Sequence, residues 1–141
     1  MKKKIAILGS TGSIGKSTLE VIRKDKKNFN IILLSANNNY KKLVAQAKQF
    51  KVKNVLIKNH KFYLKVKNSL KRTKTKVYSG DISIRRIISK KLDYTMSAIV
   101  GLAGLQPTID AIKVSKTVAI ANKETIICGW QVLSKFIKKY K

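Results

Sequence analysis

Gly9, Gly12 and Gly15 fall at every third position of the stretch Gly9-Ser10-Thr11-Gly12-Ser13-Ile14-Gly15, directly behind the apolar run Ile5-Ala6-Ile7-Leu8. A strand, a glycine turn and a helix together make a phosphate cradle. The glycines let the backbone reverse tightly and approach a pyrophosphate, and free N–H groups at the helix N-terminus favour its negative charge. The spacing G-x-x-G-x-x-G carries one more residue in its turn than the dinucleotide fingerprint G-x-G-x-x-G. Lys16 and Ser17 do not make a Walker loop either, because too few residues separate Gly12 from Gly15. The expectation is a nucleotide-holding turn.

In sheets of this kind ligands bind beyond the carboxyl ends of the strands, so the polar residues that end later apolar runs are the next candidates. Asn37, Asn38 and Asn39 follow Ile31-Ile32-Leu33-Leu34, at the place where NAD enzymes put a carboxylate on the ribose 2′-hydroxyl. None stands here, which leaves room for a 2′-phosphate beside amide donors and Lys41 or Lys42. The bland reading is an asparagine turn before a helix. Gly101 and Gly104 let a backbone pass close to a flat ring, or simply form a turn. Asn122-Lys123-Glu124 puts a donor, a cation and a carboxylate at a strand terminus. Lys123 suits a substrate phosphate or carboxylate and Glu124 a hydroxyl, against a solvated loop with a helix-capping Glu.

Other residues carry less. His60 sits in a basic segment without a carboxylate partner and reads as surface; Trp130 reads as packing within the last helix; nothing singles out Cys128 as reactive. Tyr63 and Lys67 have the spacing of a reductase Tyr-Lys pair but precede the later core strands. The acidic residues are Glu20, Asp25, Asp81, Asp93, Asp110 and Glu124, each isolated, with no D-x-D or D-x-E pair to hold a hard divalent cation. No metal site is expected on this chain.

The elements that position these groups follow from periodicity. Strands are expected at 5–8, 31–34, 55–57, 77–78 (a short edge), 94–100 and 118–121. Helices are expected at 17–24, 40–50, 62–70 and 82–88 (capped by Asp81), then from Pro107 and over 124–140. Leu19, Val21 and Ile22 mark the first helix; Leu43, Val44, Ala47 and Phe50 share one face of the second. The alternation predicts an α/β fold, a Rossmann-like doubly wound and mostly parallel sheet with helices on both faces. The whole chain, 1–141, reads as one nucleotide-binding domain, large enough to bury a core without disulfides.

Composition narrows the partners. The chain has 32 Lys+Arg against 6 Asp+Glu, a formal charge of +26. Nucleic-acid binding is the alternative this suggests. Yet all but four of these cations are Lys, with Arg only at 23, 72, 85 and 86, and they are spread over nearly every segment. Specific base readers favour the Arg fork, so a solvated lysine surface is expected and no specific nucleic acid. The single Cys suits a reducing cytoplasm. No apolar stretch approaches the roughly 20 residues of a membrane span.

Three motifs in order carry a resemblance: the stretch at 4–19 containing Gly9-Ser10-Thr11-Gly12-Ser13-Ile14-Gly15, Ala98-Ile99-Val100-Gly101-Leu102-Ala103-Gly104-Leu105-Gln106-Pro107-Thr108, and Ala121-Asn122-Lys123-Glu124-Thr125. Together they resemble 1-deoxy-D-xylulose 5-phosphate reductoisomerase over essentially the whole chain, most weakly at 51–86. The resemblance implies an NADPH-dependent enzyme of non-mevalonate isoprenoid biosynthesis. Such an enzyme rearranges and reduces 1-deoxy-D-xylulose 5-phosphate to 2-C-methyl-D-erythritol 4-phosphate with Mg2+ or Mn2+, and its full-length form is a homodimer. By position it implies that Thr11, Gly12, Ser13 and Ile14 hold the cofactor pyrophosphate region, and that Asn37, Asn38 and Asn39 lie by the adenosine ribose and its 2′-phosphate. Asn122 and Glu124 would contact NADPH, and Lys123 the substrate. The family commonly has Gly, a basic residue and Asn where Asn37-Asn38-Asn39 stand, with Lys41 the neighbouring cation able to compensate. It also carries an Asp-Ser-Glu metal motif that this sequence does not contain. The expectation is an N-terminal NADPH-binding part, inactive alone, with metal ligands outside the chain.

Overall fold

The computed structural model describes residues 1–140. Six strands, β1 (Lys3–Leu8), β2 (Phe29–Ala36), β3 (Asn54–Ile57), β4 (Lys76–Ser79), β5 (Leu92–Ser97) and β6 (Ser115–Ile120), alternate with α1 (Ser13–Lys24), α2 (Tyr40–Phe50), α3 (Tyr63–Leu70), α4 (Ile84–Ile87), α5 (Leu105–Val114) and α6 (Lys123–Tyr140). They form one sheet in the order β4-β3-β2-β1-β5-β6. Every pairing is parallel. The chain first builds outward from β1 through β2 and β3 to β4, then crosses back to lay β5 on the other side of β1. The order therefore reverses between β1 and β5, where this architecture opens a crevice.

Strand alternation assigns the two faces. Ile5 and Ile7 of β1 join Leu19 and Ile22 of α1, Leu43 and Ala47 of α2, and Val66 and Leu70 of α3 in one core. Ala6 and Leu8, one residue out of phase, join Ile84 and Ile87 of α4 and Ala111 of α5 in the other. A third cluster forms where Leu133 of α6 meets Ile109 and Ile112 of α5. The predicted doubly wound α/β fold is the one observed.

Several expected boundaries and roles differ. α1 begins at Ser13 instead of 17, because Gly12 leads straight into the helix and Gly15 lies inside it. The segment predicted at 82–88 is a single turn capped by Ser83, whose Oγ accepts from Arg85 N; Asp81 does not cap it and instead pairs with Lys58. β5 leaves its ladder after Ser97, and β6 starts at Ser115. α5 begins at Leu105, with Pro107 inside its first turn, where the missing N–H has no helical partner to lose. Trp130 is not packed: it is 55% exposed. The inward line of α6 runs through Thr125, Gly129 and Leu133, and a Cβ on Gly129 would lie 2.4 Å from Leu105 Cδ1, so the next residue round the helix faces out. Val21 is likewise exposed.

Candidate functional site: a cleft at the carboxyl edge of the sheet

Close backbone packing shapes the turn after β1. Gly9 adopts φ +80°, and a Cβ there would lie 2.6 Å from Ala98 O. Gly15 sits against the same turn, where a Cβ would be 2.4 Å from Gly9 O and 2.5 Å from Ser10 Cα. These two glycines bring α1 onto the end of β1. Gly12 has a different role: a Cβ would meet only Gly9 O, at 3.5 Å, so its surface is open. Gly9 N and Ser10 N both donate to Ser35 O, at 3.1 and 2.8 Å. Ser10 is fully buried; its Oγ donates to Gln46 Oε1 at 2.8 Å, while Gln46 Nε2 donates to Ser10 O at 2.9 Å. The turn is thereby fixed to β2 and α2.

No side chain caps α1. Its first N–H groups, on Ser13, Ile14 and Gly15, have no carbonyl four residues back within the helix to accept from them. Unpaired donors at the mouth of a glycine turn, on the positive end of a helix, suit a phosphate oxygen.

The turn opens on a cleft of about 650 Å³ along the carboxyl ends of the strands. Gly9, Thr11 and Gly12 line it after β1, Asn37 after β2, and Lys58 after β3. Ile99 and Pro107 give the opposite side an apolar wall. Asp110 closes its floor: buried on α5, it accepts from Ser83 Oγ and, at 3.2 Å, from Gln106 Nε2, with Lys113 Nζ 3.9 Å away. The size and the mix of apolar wall and few polar groups are those of a small-molecule site.

Of the expected site residues, Thr11, Gly12 and Asn37 line this cleft, and Ser13 and Ile14 are the exposed first residues of α1 beside it. Asn38 and Asn39 do not line it. Asn38 Oδ1 accepts from Asn59 Nδ2 at 2.8 Å, and Asn39 Oδ1 caps α2 by accepting from Lys42 N at 3.2 Å. Asn122 is buried: its Nδ2 donates to Ile99 O and to Gly101 O, and its Oδ1 accepts from Thr125 N at 2.6 Å. It clasps the loop after β5 to the start of α6. Gly104 fits against this clasp, since a Cβ would lie 2.6 Å from Asn122 Nδ2. Lys123 is exposed and Glu124 half-buried, both outside the cleft lining.

Lys58, Ser83 and Asp110 were not singled out in the sequence; only the position of Lys58 directly behind an apolar run signalled it. Tyr63 and Lys67 lie on α3, where Lys67 Nζ is 5.5 Å from the Tyr63 ring centroid, and neither lines the cleft. His60 is exposed, its Nδ1 2.7 Å from Ser79 Oγ. Among the described residues no three His, Cys, Asp or Glu gather as metal ligands, and no helix is long and apolar enough to cross a membrane.

The model of the 1-deoxy-D-xylulose 5-phosphate reductoisomerase family matches residues 5–129. A reductoisomerase of that name from Pelagibacter ubique strain HTCC1062 is 53% identical over 141 residues, covering 99% of this chain and 36% of its own length. One from Phocaeicola vulgatus is 42% identical, and the chain again covers little of it, 37%. The Zymomonas mobilis enzyme, solved in complex with NADPH, superposes with a TM-score of 0.93 at 33% identity, over 99% of this chain and 37% of that one. The chain thus spans about a third of the length of the relatives it matches. On the family match and the identities that accompany it, the chain belongs to the 1-deoxy-D-xylulose 5-phosphate reductoisomerase family.

Proposed function

We propose that residues 1–141 are the NADPH-holding domain of a 1-deoxy-D-xylulose 5-phosphate reductoisomerase. One observation carries this reading: the uncapped, glycine-built start of α1 opens on the cleft in a fold superposing on a relative solved with NADPH. When bound, NADPH supplies the hydride for reduction of the rearranged substrate. The chain's residues bind and orient it. Thr11, Gly12, Ser13 and Ile14 surround the pyrophosphate, which the unpaired N–H groups of Ser13 and Ile14 receive while Gly12 N stays donated to Gly9 O within the turn. Asn37 faces the adenosine ribose, with Asn38 and Asn39 shaping that loop. Asn122 positions the 98–104 wall through its bonds to Ile99 O and Gly101 O. Glu124 sits beside the bound cofactor, and Lys123 offers its cation to the substrate phosphate.

The described residues do not fit a Mg2+ or Mn2+ site, so no step is assigned to a metal here. In this reading its ligands lie outside these residues, and the working enzyme is a cytoplasmic homodimer acting on 1-deoxy-D-xylulose 5-phosphate. Family membership leaves the dispersed lysine surface as solvation, without a role in reading nucleic acid.

Calorimetric titration of the 141-residue chain tests the proposal. Saturable NADPH binding, tighter than that of NADH, is expected, with no turnover of 1-deoxy-D-xylulose 5-phosphate by this chain alone. A folded chain that binds neither nucleotide contradicts it.

A further inference from the structure

A cofactor carrying a 2′-phosphate calls for a cation near the end of β2. The sequence puts none there: residues 35–40 include no Lys or Arg, and no Asp or Glu. The asparagine loop is also largely engaged with itself and its neighbours. Asn39 caps α2, and Asn38 is held by Asn59.

The next strand fills the gap. Lys58 N donates to Ala36 O at 2.9 Å and Asn59 N to Asn37 O at 3.1 Å, carrying the β2–β3 ladder past both strand ends. Lys58 and Asn37 therefore stand side by side and line the same cleft. Lys41 and Lys42, in the first turn of α2, do not line it. Lys58 Nζ pairs with Asp81 Oδ1 at 3.2 Å, with side chains 51% and 88% exposed. So exposed a pair adds little in water, and a phosphate with more oxygens and more charge displaces it readily.

We propose that Lys58 is the residue that selects the 2′-phosphate, exchanging Asp81 for the phosphate as the nucleotide binds. Asp81 is the counter-ion that holds the ammonium over the cleft until then. This inference rests on the reading that the cleft holds NADPH.

Adenosine 2′,5′-bisphosphate and 5′-AMP differ only in the 2′-phosphate, so paired calorimetric titrations isolate it. Lys58→Gln is expected to weaken the bisphosphate by about tenfold, the size of one charge-assisted hydrogen bond, and to leave 5′-AMP unchanged. Lys58→Arg keeps most of the preference. Asp81→Asn tightens the bisphosphate roughly threefold by removing a competing exposed pair. Lys41→Gln changes neither ligand. If wild type prefers the bisphosphate and Lys58→Gln keeps that preference, or if the loss follows Lys41→Gln, the Lys58 assignment is overturned while the cleft stands. A wild-type chain that binds neither ligand overturns both.

Discussion

Gly9, Gly12 and Gly15 look equivalent in the sequence, and the structure separates them. A methyl group on Gly15 would meet the backbone of Gly9 and Ser10, which cannot turn aside as a side chain can. Gly15→Ala should cost roughly 1–3 kcal/mol, the usual range for overpacking, seen as a lower midpoint in urea denaturation. Gly12→Ala should cost under about 1 kcal/mol, the difference between Gly and Ala at an N-cap, yet weaken nucleotide binding because Gly12 lines the cleft. The glycine turn was legible because its residues are neighbours and its conformational demand is local. Gln46, which fastens Ser10 from 36 residues away, was not, since nothing at 46 marks a glutamine as buried. Asn122 was found for its place at a strand end, but its loop-clasping bonds depend on Ile99 and Gly101 in the loop after the neighbouring strand β5.

The periodicities of the helices and strands predicted the order of elements, while tertiary packing decided their ends. The fifth strand was expected to run to residue 100, yet its pairing with β1 and β6 ends at Ser97, with one last bond from Ala98 N to Leu8 O at 2.9 Å, and frees the wall that faces the cleft. Trp130 shows the opposite failure: its apolar character said core, but α6 turns Gly129 toward α5 so that the helices can approach. At the amino ends of the strands, opposite the cleft, Asp93 of β5 joins three strands. It accepts from Lys116 Nζ of β6 at 2.8 Å and from Lys4 N of β1 at 2.9 Å. Chiefly Lys116, then the Lys4 amide, hold its carboxyl below the usual range. A lowered folded pKa contributes stability above the unfolded value of about 3.9 and loses it as pH falls through the folded value. Urea midpoints should therefore drop below about pH 4, and Asp93→Asn should flatten that acid limb. An unchanged limb in the variant would show that Asp93 does not set it.

Across the whole molecule, the sheet order β4-β3-β2-β1-β5-β6 explains why one cleft collects residues from so much of the chain. Strands running in parallel end at the same edge, and the reversal between β1 and β5 leaves that edge open where the glycine turn stands. The alternation of strands and helices was enough to anticipate this architecture. It could not place Lys58, whose role depends on β3 lying next to β2 and not merely following it. The charge of +26 drew attention to nucleic acid, but the donors that matter in the proposed site are mostly backbone N–H groups, invisible to any count of lysines. The central claim is that the 9–15 turn receives the cofactor pyrophosphate, and amide NMR during NADPH titration tests it most directly. The largest shifts are expected at Thr11, Gly12, Ser13, Ile14 and Gly15, with smaller ones at Asn37. Saturable NADPH binding that leaves those amides unmoved while shifting the lysine-lined groove between α3 and β4 would contradict it.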